Sequence, residues 1–350
     1  MAKPYISGTY FLPEGFLPVP FFPVFLAAAV LLAACAHPAA ARQDFKSWLQ
    51  GVRVEARQKG ISENTIKAAL PDTLQPIARI IELDRKQPES TTSFDDYLKR
   101  IVSRERIEKG KTRMLNYPTL LGKVSKAYGV EPEVIVALWG VETNYGAITG
   151  GFDVVNALAT LAYDGRRSDY FRGELMKALQ IIDEGHIKHA DMKGSWAGAM
   201  GQTQFMPSSF FRFAEDFNAD GRRDIWGTQA DVFASAANYL AKSGWKKGQP
   251  WGRRVIIPDT IDRKLLGVDN RYSLQFWHDK GVRLPDGKAV PFEGAYQASV
   301  IQPSGPGTSA FIVYDNYHVI LKWNRSSYFA TSVGLLSDAL AGTKVPKNRL

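Results

Sequence analysis

The segment Pro132–Gly146, PEVIVALWGVETNYG, restricts the fold more than any other stretch of this 350-residue chain. Pro132 stands in an N1-like position, where its missing N–H costs nothing and its fixed φ suits a helix. From Val134 to Val141, seven apolar residues and one glycine follow without a polar break. A helix that is apolar on every face cannot rest on a surface and must be enclosed by other elements. Glu142 ends the run as the only acid between Glu133 and Asp153. A carboxyl at the end of a buried helix is costly unless it is paired, hydrogen-bonded or needed neutral. Apolar surroundings raise a carboxyl pKa by penalising the anion, and a proton then remains available near neutral pH, as a general acid requires. On this segment alone, that reading and a surface-facing Glu near a helix C-terminus both stand.

A chain of this length buries a full core, in one large or two interlocked domains. Its formal charge is +9, and residues 1–35 hold one Lys and one Glu, so the remainder keeps the same charge. Such a basic surface suits a polyanion: nucleic acid, anionic lipid or an acidic cell-wall polymer. There is no dense Lys/Arg stripe and no nucleic-acid motif, so nucleic acid is not an expected partner. The single cysteine, Cys35, excludes an intramolecular disulfide and a Cys-based zinc site.

Cys35 ends the only long apolar run, residues 16–34, FLPVPFFPVFLAAAVLLAA. Pro18, Pro20 and Pro23 disfavour a membrane-spanning helix in its first half, and Val24–Ala34 has the length of a signal-peptide core. Leu32-Ala33-Ala34-Cys35 resembles a bacterial lipobox, in which the Cys is lipidated after cleavage. The alternative is a plain cleavable signal cut near Ala36–Ala39. Either way the protein leaves the cytoplasm, and Ala36 after the Cys resembles the pattern for sorting to the outer membrane. The expectation is a periplasmic lipoprotein held by outer-membrane lipid through Cys35.

The predicted fold class is α+β, mainly α. After the address at 1–35, helical patterns fill 36–110, including an amphipathic stretch over 94–107. A core follows at 111–245, with helices at Leu120–Tyr128, 132–145, 152–162, 168–185 and 229–243. Residues 246–310 carry short Pro/Gly-punctuated, β-branched stretches that predict a small β-rich insertion. The end, 311–350, is expected to be a strand over FIVYDNYHVILKW and a helix at 326–341. His186 and His189, at i and i+3, and the pairs Arg166-Arg167 and Arg222-Arg223 are expected to be solvated surface.

Between two of these helices lies Gly194–Ser209, GSWAGAMGQTQFMPSS. So much Gly and Ala suits a backbone passing close to a ligand, offering amides and hydroxyls from tight turns. Further on, Asp216-Phe217-Asn218-Ala219-Asp220-Gly221 places oxygen donors at positions one, three and five of an EF-hand-like loop, with Gly at six, Arg222 at seven and Gly227 at twelve. A solvated Asx-turn has the same pattern.

Together, the E-T-N-Y-G and G-S-W-A-G-A-M-G-Q-T-Q-F-M-P-S-S segments resemble the membrane-bound lytic murein transglycosylase B family, over about residues 45–340. The resemblance implies a lysozyme-like helical core and a monomer working on peptidoglycan glycan strands. By position it implies that Glu142 is the catalytic acid/base, that Ser195 hydrogen-bonds its carboxyl and that Gln204 lines the sugar groove. It implies that Tyr239 faces the cleaved sugar and that Asn316, or its neighbours Asp315 or Tyr317, lies near the same subsite. It further implies a structural calcium held by Asp216, Asn218, Asp220 and Arg222 and closed by Asp231, with no cofactor for catalysis. One carboxylate where common glycosidases have two implies help from the substrate's own 2-acetamido group and a 1,6-anhydro product. A hydrolytic muramidase and a non-catalytic peptidoglycan-binding lipoprotein are the alternatives.

Overall fold

The computed structural model describes residues 44–86, 92–291 and 296–342, so Cys35 and the lipobox lie outside the described residues. Five helices come first: α1 (Phe45–Gln58), α2 (Glu63–Ala69), α3 (Ala78–Arg85), α4 (Phe94–Ile101) and α5 (Arg104–Asn116). Four of them have an Asp or Ser N-cap whose side chain accepts an amide of the first turn, namely Asp44, Ser62, Ser93 and Ser103. The Ser103 cap explains why the pattern over 94–107 is two helices: it starts α5 where one continuous helix was expected. Next come α6 (Pro118–Tyr128), closed by left-handed Gly129, and α7 (Pro132–Thr143).

β1 (Phe152–Asp153) leads into α8 (Val154–Asp164) and α9 (Ser168–Asp183), and pairs with β2 (Lys193–Gly194). The Gly-rich segment follows, then α10 (Pro207–Phe213) and α11 (Gln229–Lys242). A second, four-stranded antiparallel sheet has the order β3-β6-β5-β4, with β3 (Gly252–Val255), β4 (Tyr272–Ser273), β5 (Gln297–Ile301) and β6 (Ala310–Val313). Its register pairs Gly252 with Val313 and Ser299 with Val313. Helix α12 (Leu274–Asp279) packs its buried Trp277 on this sheet.

The C-terminal end departs from expectation. Only residues 311–313 of the strand-like FIVYDNYHVILKW continue the strand begun at Ala310; Tyr314 caps helix α13 (Asp315–Trp323), which is followed by α14 (Ser327–Leu340). Its buried residues Asn316, Tyr317, Val319 and Ile320 lie three to four apart, so a helix buries them on one face where a strand would split them between two. Composition suggested a strand, and tertiary burial overrode it.

Two helical cores meet along a seam. One gathers α4, α6, α7, α11, α13 and α14 around α7, on which every residue from Val134 to Val141 is buried. The other gathers α1, α2, α3, α8, α9 and α10. Tyr239 and Trp323 pack against both cores and so mark the seam. The sheet is tied to α14 by Trp251, whose ring lies on Gly334 and whose Nε1 donates to Asp338 at 3.1 Å. A methyl at Gly334 would run into that ring, with Cε3 at 2.7 Å. Gly334→Ala is therefore expected to destabilise the protein by roughly 1–3 kcal/mol, read as a lower denaturation midpoint in urea.

Candidate active site

Glu142 sits in the last turn of α7, where the helix emerges from its apolar surroundings. The recess around it is lined by Ile135, Leu138 and Trp139 from α7, Gln202 and Thr203 from the Gly-rich segment, Val232, Phe233 and Ala236 from α11, and Trp323 at the end of α13. Glu142 is the only carboxylate among these lining residues. Burial in this apolar setting raises its carboxyl, and the one hydrogen bond it accepts, from Trp323 Nε1 to Oε1 at 2.6 Å, opposes that rise; the balance puts it at about 8. At neutral pH the group is protonated and ready to donate.

The chain leaves the acid abruptly. Asn144, Tyr145 and Gly146 have φ of 51°, 62° and 79°, three left-handed residues in succession. Tyr145 is held there by its hydroxyl, which donates to the Arg106 carbonyl at 2.8 Å, and by its ring, which lies on Gly140. Lys109 Nζ donates to the Asn144 carbonyl at 3.1 Å. Such strain persists only where the surroundings overdetermine it.

A second set of bonds fixes the floor. Trp139 Nε1 donates to Gln202 Oε1 at 2.8 Å, and Gln202 Nε2 donates to the Trp226 carbonyl at 2.7 Å. The Thr143 hydroxyl lies 3.2 Å from the Gln202 carbonyl and accepts from Gly146 N at 3.0 Å. Gln202 thereby joins α7, the Gly-rich segment and the loop before α11.

The structure brings some expected site residues together and leaves others aside. Ser195 is buried, and its Oγ accepts from the amides of Ala199 at 3.0 Å and Ala197 at 3.3 Å; no bond joins it to Glu142 among the described residues. Gln204, at φ 51°, donates from Nε2 to the carbonyls of Gly201 and Thr149 at 2.9 and 3.0 Å. Tyr239 is not among the residues lining the recess but meets one of them: its ring packs edge-on 4.6 Å from Trp323 and tilted 4.4 Å from Phe213. Asn316 is fully buried, bonded to the Lys246 and Gln249 backbone, and is not among the residues lining the recess. Trp323, which touches the acid directly, was missed from sequence, since nothing local in ILKW distinguishes it.

The EF-hand-like loop is sharply curved, with Ala219 and Gly221 left-handed at φ 59° and 89°. Asp216 accepts from the amides of Asp220 and Gly221, and Asp220 from that of Arg222. Asp231 on α11 is fully buried and staples the loop's two ends, accepting from Phe217 N and Asp224 N at 2.8 Å each. Its carboxyl is raised by burial and by the nearby Asp216, a strain that a dication would relieve. Among the described residues no three Asp, Glu, His or Cys side chains converge, so the hard-oxygen set rests also on Asn218 and the main chain. In donor type and curvature the residues fit calcium.

Of the residues expected to be solvated, Arg166 and Arg222 are exposed, whereas His186, His189 and Arg167 are tied into the fold. His186 is 9% exposed, lies 3.3 Å from Glu184 and accepts from Arg223 N, while His189 pairs with Asp153. Arg167 pairs at 2.6 Å with Asp84, whose side chain is buried. Here partners across the fold, invisible in the linear sequence, draw the charges inward.

The sequence model of the transglycosylase SLT domain matches residues 44–338. The membrane-bound lytic murein transglycosylase B of Escherichia coli is 32% identical over 251 residues, 71% of this chain and 68% of its own. SltB3 of Pseudomonas aeruginosa, solved with NAG-anhNAM-pentapeptide, superposes with a TM-score of 0.83 at 41% identity, covering 86% of this chain and 80% of that one. The Escherichia coli lytic transglycosylase Slt35, solved with calcium, superposes with a TM-score of 0.73 at 28% identity, covering 84% and 92%.

The donated bond from Trp323 favours the Glu142 anion. Trp323→Phe removes it and is expected to move the alkaline limb of the pH–rate profile to higher pH, as steady-state rates across pH 5–10 would show. An unmoved limb would separate the bond from the acid's titration.

Proposed function

Because this chain belongs to the transglycosylase SLT domain family, we propose that it is a lytic murein transglycosylase in which Glu142 alone serves as acid and then as base. The observation that carries this reading is a single carboxyl, raised to about 8, in a recess that no second carboxylate lines. Glu142 gives its proton to the oxygen bridging N-acetylmuramic acid to N-acetylglucosamine, and the 2-acetamido oxygen of the muramic residue bonds to its C1 as that bridge breaks. Glu142, now a carboxylate, takes the proton from the C6 hydroxyl while O6 displaces the acetamido oxygen. The products are the freed N-acetylglucosamine end and a 1,6-anhydro sugar, and Glu142 is protonated again. Tyr239 and Trp323 form the aromatic wall beside the reacting sugar, Trp323 aligning the carboxyl. Ser195 and Gln204 shape the backbone that passes along the strand, and Asn316 supports the loop that it clamps.

In this reading the chain divides into an N-terminal helical region over 36–110, a catalytic core over 111–245, a β-rich insertion over 246–310 and an end over 311–350 that completes the groove. Calcium at Asp216, Asn218, Asp220 and Arg222, closed by Asp231, stiffens the loop between α10 and α11. Support for it comes from the loop's curvature and from the calcium complex of Slt35. Among the described residues no helix is long and apolar enough to cross a membrane. A lipid on Cys35 is the attachment that places the enzyme on the outer membrane facing its substrate, as the name of the membrane-bound relative suggests.

Digestion of purified sacculi followed by mass spectrometry is expected to give muropeptides one water lighter than hydrolysis products. Glu142→Gln is expected to lower the rate by roughly 10²–10⁴-fold. Reducing-end products instead would mean a hydrolytic muramidase. Calcium in excess is expected to raise the melting temperature of the wild type, and Asp220→Ala to abolish that rise, measured by calorimetry with and without chelator.

A further inference from the structure

Away from the acid, an open pocket of about 700 Å³ is lined by Lys246, Lys247, Gln249, Arg271, Tyr296, Gln297 and Asp315. Its charges are three cations against one carboxylate. Asp315 would be raised by burial, but hydrogen bonds from Lys246, Arg271 and Gln249 outweigh this and hold it down at about 2. It is therefore a fixed anion that orients Lys246, at 2.5 Å, and Arg271 along the rim. Lys247 is exposed and has no ion-pair partner among the described residues. At the base, Gln249 is only 6% exposed, and its Oε1 is buried with no hydrogen-bond partner. An orphaned buried acceptor costs free energy unless something donates to it.

We propose that this pocket binds a carboxylate-bearing peptide, the stem attached to the sugar strand, with the rim cations taking its carboxylates and Gln249 Oε1 taking a peptide N–H. The combination selects the ligand class. Cations alone would suit any anion, but a phosphodiester or fully ionised phosphate has no donor for Gln249, whereas a peptide offers carboxylates and N–H groups together.

Position supports the same occupant. Asp315 lines the pocket and Trp323 bonds Glu142, so α13 connects the two places over eight residue steps, about 12 Å at 1.5 Å each. The pocket loop is also pinned to the start of α7, because Glu131 accepts from Trp245 Nε1 at 2.8 Å and Gly248 N at 2.7 Å. Both helices thus run from the pocket to the acid. An extended peptide gains about 3.3 Å per residue, so three or four residues bridge the gap. The assignment rests on the proposed function for its source of peptide, and its test does not depend on turnover.

Calorimetric titration with a muramic-acid disaccharide, with and without its pentapeptide, reads binding directly. The wild type is expected to bind the peptide-bearing form at least tenfold more tightly, with the gap narrowing as salt rises. Lys247→Glu and Arg271→Gln are expected to shrink the gap to twofold or less. Both sites are exposed, and circular dichroism checks that each variant is folded. Equal affinity for the two ligands in the wild type, binding of neither, or an unchanged gap in both variants would overturn the proposal. Failure of sacculus digestion alongside an intact gap would instead count against the catalytic reading and leave the peptide site standing.

Discussion

The architecture depends on one buried amide. Gln202 accepts from Trp139 on α7 and donates to the Trp226 carbonyl, so a segment rich in Gly and Ala is locked to the most apolar helix in the molecule. Met200, Phe205 and Met206 pack the segment into the second core, and the Gln202 bonds fix its other side to α7. With them, the wall of the recess is fixed relative to Glu142, and the desolvation that raises its carboxyl becomes a permanent property of the fold. Gly146 is tied into the same arrangement, since a methyl there would strike Gln202 Oε1.

In the proposed reaction a single carboxyl acts twice, and the surroundings of Glu142 suit both demands. Apolar side chains from α7 and α11 favour the neutral acid, while the indole N–H of Trp323 favours the anion that forms after donation. A fully apolar recess would hold the proton too firmly to release it. A recess rich in donors would leave no proton to give at neutral pH. The observed balance lies between these limits.

Much of this was legible because it is local. The unbroken apolar run before Glu142 required an enclosed helix with an exposed end, and the Gly/Gln segment advertised a backbone close to a ligand. What was not legible is non-local. Trp323 reaches Glu142 from 181 positions away, at the end of a helix whose aromatic and β-branched composition resembled a strand. Asn316 stands on that helix, and only the fold shows its amide turned to the Lys246 and Gln249 backbone. Ser195 was matched to the acid by position, yet its oxygen caps a turn formed by its own segment, a pairing that depends on φ values no spacing rule supplies.

Tyr145 shows how far one strained corner extends through the chain. Its left-handed backbone turns the main chain away from Glu142, and it holds that posture by resting on Gly140 and lying against Gly110, two glycines inside helices. Gly110 is remote from the recess wall in sequence and Gly140 stands beside Trp139, and neither offers a functional group, yet a side chain at either would dislodge the ring. The freedom of these helices to accept substitutions is thus set by a residue that does not line the recess. The three positions are sterically coupled, so a side chain at Gly110 or Gly140 would be accommodated only with a smaller residue in place of Tyr145.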